Sequence, residues 1–341
     1  MQYHDNYHDV VHQMEAFGIE LRERDLPLRV DSPKRVTCGK GGKAWYWLRT
    51  FRPDAGGAYI VGRYGSYKTG ESAKVEVDWR PLSEAERARM KADREAARQR
   101  EREAREREAA LAAMTAAQLW RAASEQGTSP YLQRKGVEPE ACRFLPDGSI
   151  VVPLLRYDLP RHEALRAVQR IYPGPRTDRR TGEPLPQKVF TRGFSKEGCA
   201  LRLGEVQPGR PVLLAEGYAT ALTIRMATGR RYPVFVCLDA HNLLPVARIV
   251  RALHADSPIL VCADDDWQRR NPQSRQLENI GRLKAWEVAR FIEDAHITQP
   301  VFSVTDRRAD ETDYNDLHMR EGLDAVAQQL TTVLEVLDGA D

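Results

Sequence analysis

Apolar and polar positions follow different rhythms in successive parts of this chain, and each rhythm predicts a different kind of element. From 211 onward, short apolar runs near 211–215, 233–238, 258–263 and 300–304 are separated by helical spacing near 217–228, 243–255 and 279–294. Strands this apolar need cover on both faces, as crossover helices give a mostly parallel sheet, so this part reads as α/β. Residues 36–79 instead alternate aromatic and β-branched positions with Gly-rich turns, as in Ala-Trp-Tyr-Trp-Leu at 44–48, the pattern of a small antiparallel β module.

Between these regions, Ser83 and Glu86 have capping-box spacing, and a run of Ala, Arg and Glu continues to about Ala123 without Gly or Pro. As a helix it would be roughly 60 Å long. Its first part, 84–108, has almost no large apolar residue, as expected of a solvated spacer or of a helix lying along a nucleic-acid backbone. From Pro130 to about Leu203, short apolar runs alternate with loops rich in Pro, Gly and basic residues, a mixed α+β pattern. These changes divide the chain into a β-rich module at 1–80, a long charged linking helix at 81–123, an upstream subdomain at 124–208 and an α/β domain at 209–341.

Both apolar runs at 211–215 and 258–263 end in acids, Glu216 in the first case and Asp264, Asp265 and Asp266 in the second. An open sheet presents its functional groups at the carboxyl ends of its strands, and hard divalent cations take oxygen ligands. Glu216, Asp264 and Asp266 are therefore candidate catalytic residues and ligands for magnesium or manganese in phosphoryl chemistry. In an extended segment Asp264 and Asp266 share a side and Asp265 points away. A helix-capping role remains open for each acid taken alone.

With 42% hydrophobic residues a sizeable core is available, and a formal net charge of only +3 makes any nucleic-acid surface local. Trp45, Trp47, Tyr59, Arg63, Tyr64 and Lys68 are candidate stacking and phosphate contacts for single-stranded nucleic acid, although alternating aromatics also build the core of a small sheet. Arg176, Arg179 and Arg180 crowd a turn-rich segment suited to template or nucleotide phosphates, or to a solvated insertion. His4, His8 and His12 recur at helical spacing, open to a metal face or a solvent-facing helix. The five cysteines are scattered without paired ligand spacing and read as reduced core thiols. No leader and no apolar run of about 20 residues occurs, so a cytoplasmic protein without a membrane partner is expected.

Four ordered motifs give the chain a resemblance to the Toprim family, and within it to primases of phages and conjugative elements that lack a zinc ribbon. They are Leu-Ala-Glu-Gly-Tyr-Ala-Thr-Ala at 214–221, Leu-Asp-Ala-His-Asn-Leu at 238–243, Ala-Asp-Asp-Asp at 263–266 and Thr-Asp-Tyr-Asn-Asp-Leu-His at 312–318. Tyr-Leu-Gln-Arg-Lys-Gly at 131–136 and Gln-Arg-Ile-Tyr-Pro at 169–173 extend the likeness upstream.

The resemblance implies a Toprim-like catalytic core that makes primers on single-stranded DNA from nucleoside triphosphates. It carries the family's acidic positions onto Glu216, Asp264 and Asp266, adds Asp313 and Asp316 as completing acids, with Asx turns as the alternative, and gives Lys135 and Lys188 a nucleotide-facing role. Arg192 joins them from charge and nearness in sequence. The chain has Asp-Asp-Asp where many relatives have Asp-Asn-Asp, and it has neither a zinc ribbon nor a P-loop helicase motif, so a separate helicase or replication initiator is the expected partner. Metal-dependent DNA cleavage and non-catalytic single-strand binding are the alternatives.

Overall fold

In the computed structural model, which describes residues 4–53, 56–77, 84–271 and 275–339, the chain forms two compact units, Met1–Arg107 and Glu108–Asp341. The first contains helix α1 (Tyr7–Ala16) and an antiparallel sheet of β1 (Val36–Cys38), β2 (Ala44–Phe51), β3 (Tyr59–Ser66) and β4 (Ser72–Lys74), paired in sequence order. The two-residue period of β2 sends Tyr46 and Leu48 inward with Ile60 and Tyr64 of β3, against Val10 and Met14 of α1. His4 lies before α1 and is buried with its Nε2 2.8 Å from Thr50 Oγ1, so it shares no helix face with the exposed His8 and His12.

Helix α2 (Glu84–Ala122) runs for 39 residues, roughly 58 Å. The capping box expected at its start rests on Ser83, which lies outside the described residues. Its larger apolar side chains gather near its end, where Ala116, Leu119 and Trp120 pack on Val151 and Val168 of the second unit. That unit continues with α3 (Pro130–Arg134), β5 (Arg143–Phe144), β6 (Ile150–Leu155), β7 (Leu165–Ile171), the hairpin strands β8 (Arg176–Thr177) and β9 (Pro184–Leu185), and β10 (Lys188–Phe190). Strands β10, β7, β6 and β5 form an antiparallel sheet in that order. One face carries Val151 and Val168 toward α2, and the other carries Ile150, Val152 and Ile171 into a core shared with the next sheet.

The next sheet consists of β11 (Leu201–Leu203), β12 (Val212–Ala215), β13 (Val234–Val236), β14 (Ile259–Cys262) and β15 (Ala295–Thr298), in the spatial order β11-β13-β12-β14-β15. All neighbours are parallel except β11 and β13. Its helices are α4 (Tyr218–Ala227), α5 (Leu243–Leu253), α6 (Ile280–Phe291), α7 (Tyr314–Glu321) and α8 (Leu323–Asp338). Leu213, Ala215, Leu260 and Cys262 meet α4, α7 and α8 on one face, while Val212, Leu214, Phe235 and Val261 meet α5 and α6 on the other. Cover on both faces explains why these strands read as continuous apolar runs.

The strand expected at 300–304 does not form, and the edge strand is Ala295–Thr298. The backbone of Val301 is paired by a side chain instead, donating to Gln329 Oε1 at 3.0 Å and accepting from Gln329 Nε2 at 2.7 Å. All five cysteines are free, with Cys237 and Cys262 fully buried. Among the described residues no helix is long and apolar enough to cross a membrane.

Asn242, buried in the turn after β13, ties the sheet to the segment before β11. Its Oδ1 accepts from the Gly198 amide, and its Nδ2 donates to the carbonyls of Cys199 and Cys237, each at 2.8 Å. Asn242→Ala would leave three backbone groups unpaired and is expected to lower stability by about 2–4 kcal/mol. Urea unfolding measures this, and an unchanged midpoint would contradict it.

Candidate active site

Strand β13 lies on one side of β12 and β14 on the other, and the helices after β12 and β14 leave the sheet on opposite faces. In open α/β sheets, functional groups are presented at such a place, where the loops after neighbouring strands part. Ala215 lies opposite Cys262 in the parallel ladder, so Glu216 and Asp264, just beyond, come together. Glu216 Oε1 and Asp264 Oδ1 are both buried without a hydrogen-bond partner. Burial, then the nearby Asp266 and Asp239, raises the Glu216 carboxyl to about 7. Burial, then Glu216 and Asp313, pushes Asp264 well above the usual carboxylate range. Two orphaned hard oxygens in a like-charged cluster suit a divalent cation, although among the described residues no three His, Cys, Asp or Glu side chains already converge at metal-holding distance.

Asp266 accepts from Arg269 Nη1 at 3.2 Å and from the Gly281 amide at 3.3 Å, at the start of α6. A side chain at Gly281 would overlap the Asp264 carbonyl oxygen and reach within 3.0 Å of Glu216 Oε1, so this glycine lets α6 approach both acids. Asp265 turns away to Arg307, 2.7 Å from its Oδ2.

Asp313 and Asp316 form the capping box of α7, each accepting from the other's amide. Asp313 Oδ2 also accepts from Thr220 Oγ1 at 2.9 Å, and Asp316 Oδ1 lies 3.6 Å from Lys135 Nζ. Burial and the neighbouring Asp313 raise Asp316, partly offset by the Thr312 amide and Lys135. The motifs at 312–318 and 131–136 dock on each other: Asn315 Nδ2 donates to the Lys135 carbonyl at 2.7 Å and to Thr223 Oγ1 at 3.0 Å, while His318 Nε2 lies 3.0 Å from the Gly136 carbonyl.

Lys188, at the start of β10, keeps solvent contact, yet the protein crowded around it lowers its pKa; Asp313 pulls it up, Lys135 down and Asp264 up. The acids thus have Lys135 and Lys188 beside them. Arg192 stands exposed beyond β10 and forms no ion pair among the described residues. Lys196 pairs instead with Asp239, the acid after β13 whose charge reaches Glu216. Sequence reading gave no site role to Lys196, Asp239 or Gly281, although Asp239 lies in the motif at 238–243 and follows the apolar run at 233–238. Tyr218, next to the Glu216 loop, is buried with its hydroxyl donating to the Glu140 carbonyl at 2.6 Å, so it is not presented to a phosphodiester.

In the amino-terminal unit, Trp45, Trp47 and Arg63 share the face away from α1, where Trp47 pairs in register with Arg63 and Arg63 with Lys74. Arg35 lies 4.2 Å over the Trp45 ring and Arg49 lies 4.8 Å over Trp47. Trp45 is consequently only 8% exposed. Tyr64 lies on the opposite face, 4% exposed in the core, because its side chain falls on the inward beat of β3. Tyr59 is half-buried, and Lys68 is exposed in the turn after β3. In the second unit Arg176 lies 3.6 Å over Tyr172, while Arg179 and Arg180 are exposed in the β8–β9 hairpin.

Residues 211–324 match the Toprim domain family. The chain is similar to a DNA primase TraC of Escherichia coli, 28% identical over 248 residues, which cover 69% of this chain and 21% of the relative. A second Escherichia coli DNA primase TraC is 26% identical over 237 residues, covering 68% of this chain and 15% of that protein. The chain thus spans about a fifth or less of the length of these curated relatives. Among solved structures, the Aquifex aeolicus primase zinc-binding and RNA polymerase domains align over 95% of this chain and 83% of theirs, with a TM-score of 0.42 and 11% identity.

The raised carboxyls have a thermodynamic consequence. Glu216 binds its proton more tightly folded than unfolded, so its contribution to stability is fully present below about pH 4.5 and is lost as pH rises through about 7. Melting temperatures of the metal-free protein are expected to fall across that window, and Glu216→Gln to flatten the fall. Excess magnesium is expected to do the same by favouring the ionised form. A wild-type profile that rises from pH 5 to 7, with Glu216→Gln rising equally, would contradict the assignment.

Proposed function

We propose that this chain, a Toprim-domain protein related in sequence to conjugative DNA primases, is a primase module that joins nucleoside triphosphates on single-stranded DNA by metal-dependent nucleotidyl transfer. The observation that carries this reading is the pair of orphaned oxygens on Glu216 and Asp264, with lysines from three separate segments set around the acids. Acids without a cation would repel a triphosphate, and lysines without the acids would bind phosphate with no means of promoting transfer.

Toprim domains generally use divalent metal ions, and magnesium bound here would neutralise phosphate charge and favour ionisation of a primer hydroxyl. Glu216, Asp264 and Asp266 would hold it. Asp313 and Asp316, engaged in the α7 cap, complete the negative surroundings. Lys135, Lys188 and Lys196 would contact the triphosphate and orient its α-phosphate, so the chain's main contribution is alignment and electrostatics rather than a covalent nucleophile. Trp47, Arg49, Arg63 and Lys74 would hold template by stacking and phosphate contact, and Arg179 and Arg180 would add phosphate contacts from the hairpin.

The test is incubation with varied single-stranded templates, labelled triphosphates and magnesium or manganese. Template-dependent oligonucleotides are expected. Asp264→Asn and Asp266→Asn, both folded, are each expected to lower the rate by at least about 100-fold. No product on any template with either metal would sink the reading, and metal-dependent DNA cleavage without triphosphates that Asp264→Asn abolishes would reassign the site to hydrolysis.

A further inference from the structure

The middle aspartate of 264–266 lies between two candidate ligands yet is committed elsewhere. Asp265 is buried with both carboxylate oxygens engaged: Oδ2 accepts from Arg307 Nη1 at 2.7 Å and Oδ1 from Asn279 Nδ2 at 2.6 Å. Its amide donates to the Thr312 carbonyl at 2.7 Å, and its own carbonyl accepts from Arg307 Nη2 at 3.2 Å.

Two of these connections lead to other acids of the site. Asn279 caps α6, and its Oδ1 accepts from the Asp266 amide at 3.1 Å. Thr312 donates its amide to Asp316 Oδ2 at 2.9 Å and precedes Asp313 in the chain. Arg307 has little freedom of its own. Its Nε donates to the Glu311 carbonyl at 2.8 Å, and its guanidinium lies 4.3 Å from the Phe302 ring centroid and 5.1 Å from that of Trp267. The Arg307 guanidinium, 2.7 Å from Asp265 Oδ2, offsets the charge of that carboxylate.

We propose that Asp265 and Arg307 are positioning residues, a largely buried ion pair that sets the placement of the two acid-bearing segments, 264–266 and 312–316, and of the start of α6 between them, and so tunes divalent-cation binding. The proposal rests on the reading of Glu216, Asp264 and Asp266 as cation ligands. An amide at 265 would retain an acceptor, but it would leave the Arg307 charge unneutralised beside the site and would lose the doubly accepting carboxylate that bridges α6 to the 302–312 loop. Groups that orient metal ligands typically matter by about 10–100-fold in metal affinity or activity.

The experiment uses the full chain and Mn2+ alone as probe, following free Mn2+ by electron paramagnetic resonance, with thermal melting alongside. Asp265→Asn and Arg307→Gln are each expected to weaken Mn2+ binding by about 10–100-fold, and Arg307→Lys, which keeps the charge, by less. Asp338→Asn is the control, since it breaks a 2.7 Å pair with Arg210 that touches none of the acid-bearing segments. It is expected to lower the melting temperature and leave Mn2+ affinity unchanged.

Unchanged Mn2+ affinity in folded Asp265→Asn or Arg307→Gln would overturn the proposal. So would an equal loss in Asp338→Asn at matched melting temperature, which would make the effect one of general stability. If neither charge-removing variant folds, Arg307→Lys decides, and unaltered affinity there rejects the pair as a positioning device. In dinucleotide synthesis, kcat is expected to fall with the Mn2+ affinity while KM for the triphosphate changes little. Wild-type protein that binds Mn2+ with the expected variant pattern but makes no product would sink the primase reading and support the positioning role. Wild-type protein that binds no Mn2+ would overturn the positioning role along with the ligand assignment.

Discussion

Glu216 and Asp264, brought together at the ends of two parallel strands with an unpartnered oxygen on each, are the constraint on which the rest of the second unit depends. Burial and mutual repulsion both disfavour their ionised forms, so the arrangement persists only because the sheet beneath is covered on both faces and cannot easily relax. Gly281 brings α6 close enough to donate an amide to Asp266 without a side chain striking the acids. A multivalent cation binding there would displace the protons that burial and like charge keep on these acids.

The positive side of the site is assembled differently. Lys135 and Lys196 come from segments distant in sequence from the acids, and each segment is pinned through its backbone by a buried asparagine. Asn315 of α7 holds the Lys135 carbonyl. Asn242 beyond β13 holds Gly198 and Cys199, next to Lys196. Backbone pinning fixes where each lysine starts while leaving the orientation of its long side chain to the acids around it. Asp316 and Asp239 are the acids that these ammonium groups meet.

The amino-terminal unit follows the same economy with other chemistry. Its small sheet devotes one face to packing on α1 and uses the other to display tryptophans already covered by guanidinium groups. Gly65 lets the Trp45 ring approach the backbone of β3, its nearest ring carbon 3.0 Å from where a Cβ would stand. This face therefore combines aromatic rings with positive charge, and the guanidinium groups already occupy ring faces of Trp45 and Trp47.

Local patterns in the sequence carried the α/β region, the small β module, the long helix and the acids at 216, 264 and 266, because strand burial and strand-end acids are set by nearest neighbours along the chain. The same reasoning misplaced the last strand, since Val301 satisfies its backbone through Gln329, a residue far away in sequence. Period-two alternation divided the aromatics of β2 and β3 into two sets, but only packing against α1 put Tyr64 in the core and Trp47 on the other face. Lys196, Gly281 and the Asp265–Arg307 pair were invisible for one reason: their roles consist of distances to residues tens of positions away. The sequence by itself determined which residues could bear charge at strand ends. The tertiary structure decided which charges meet, because only folding brings the carboxyl ends of β12 and β14, the start of α6 and the cap of α7 to one place.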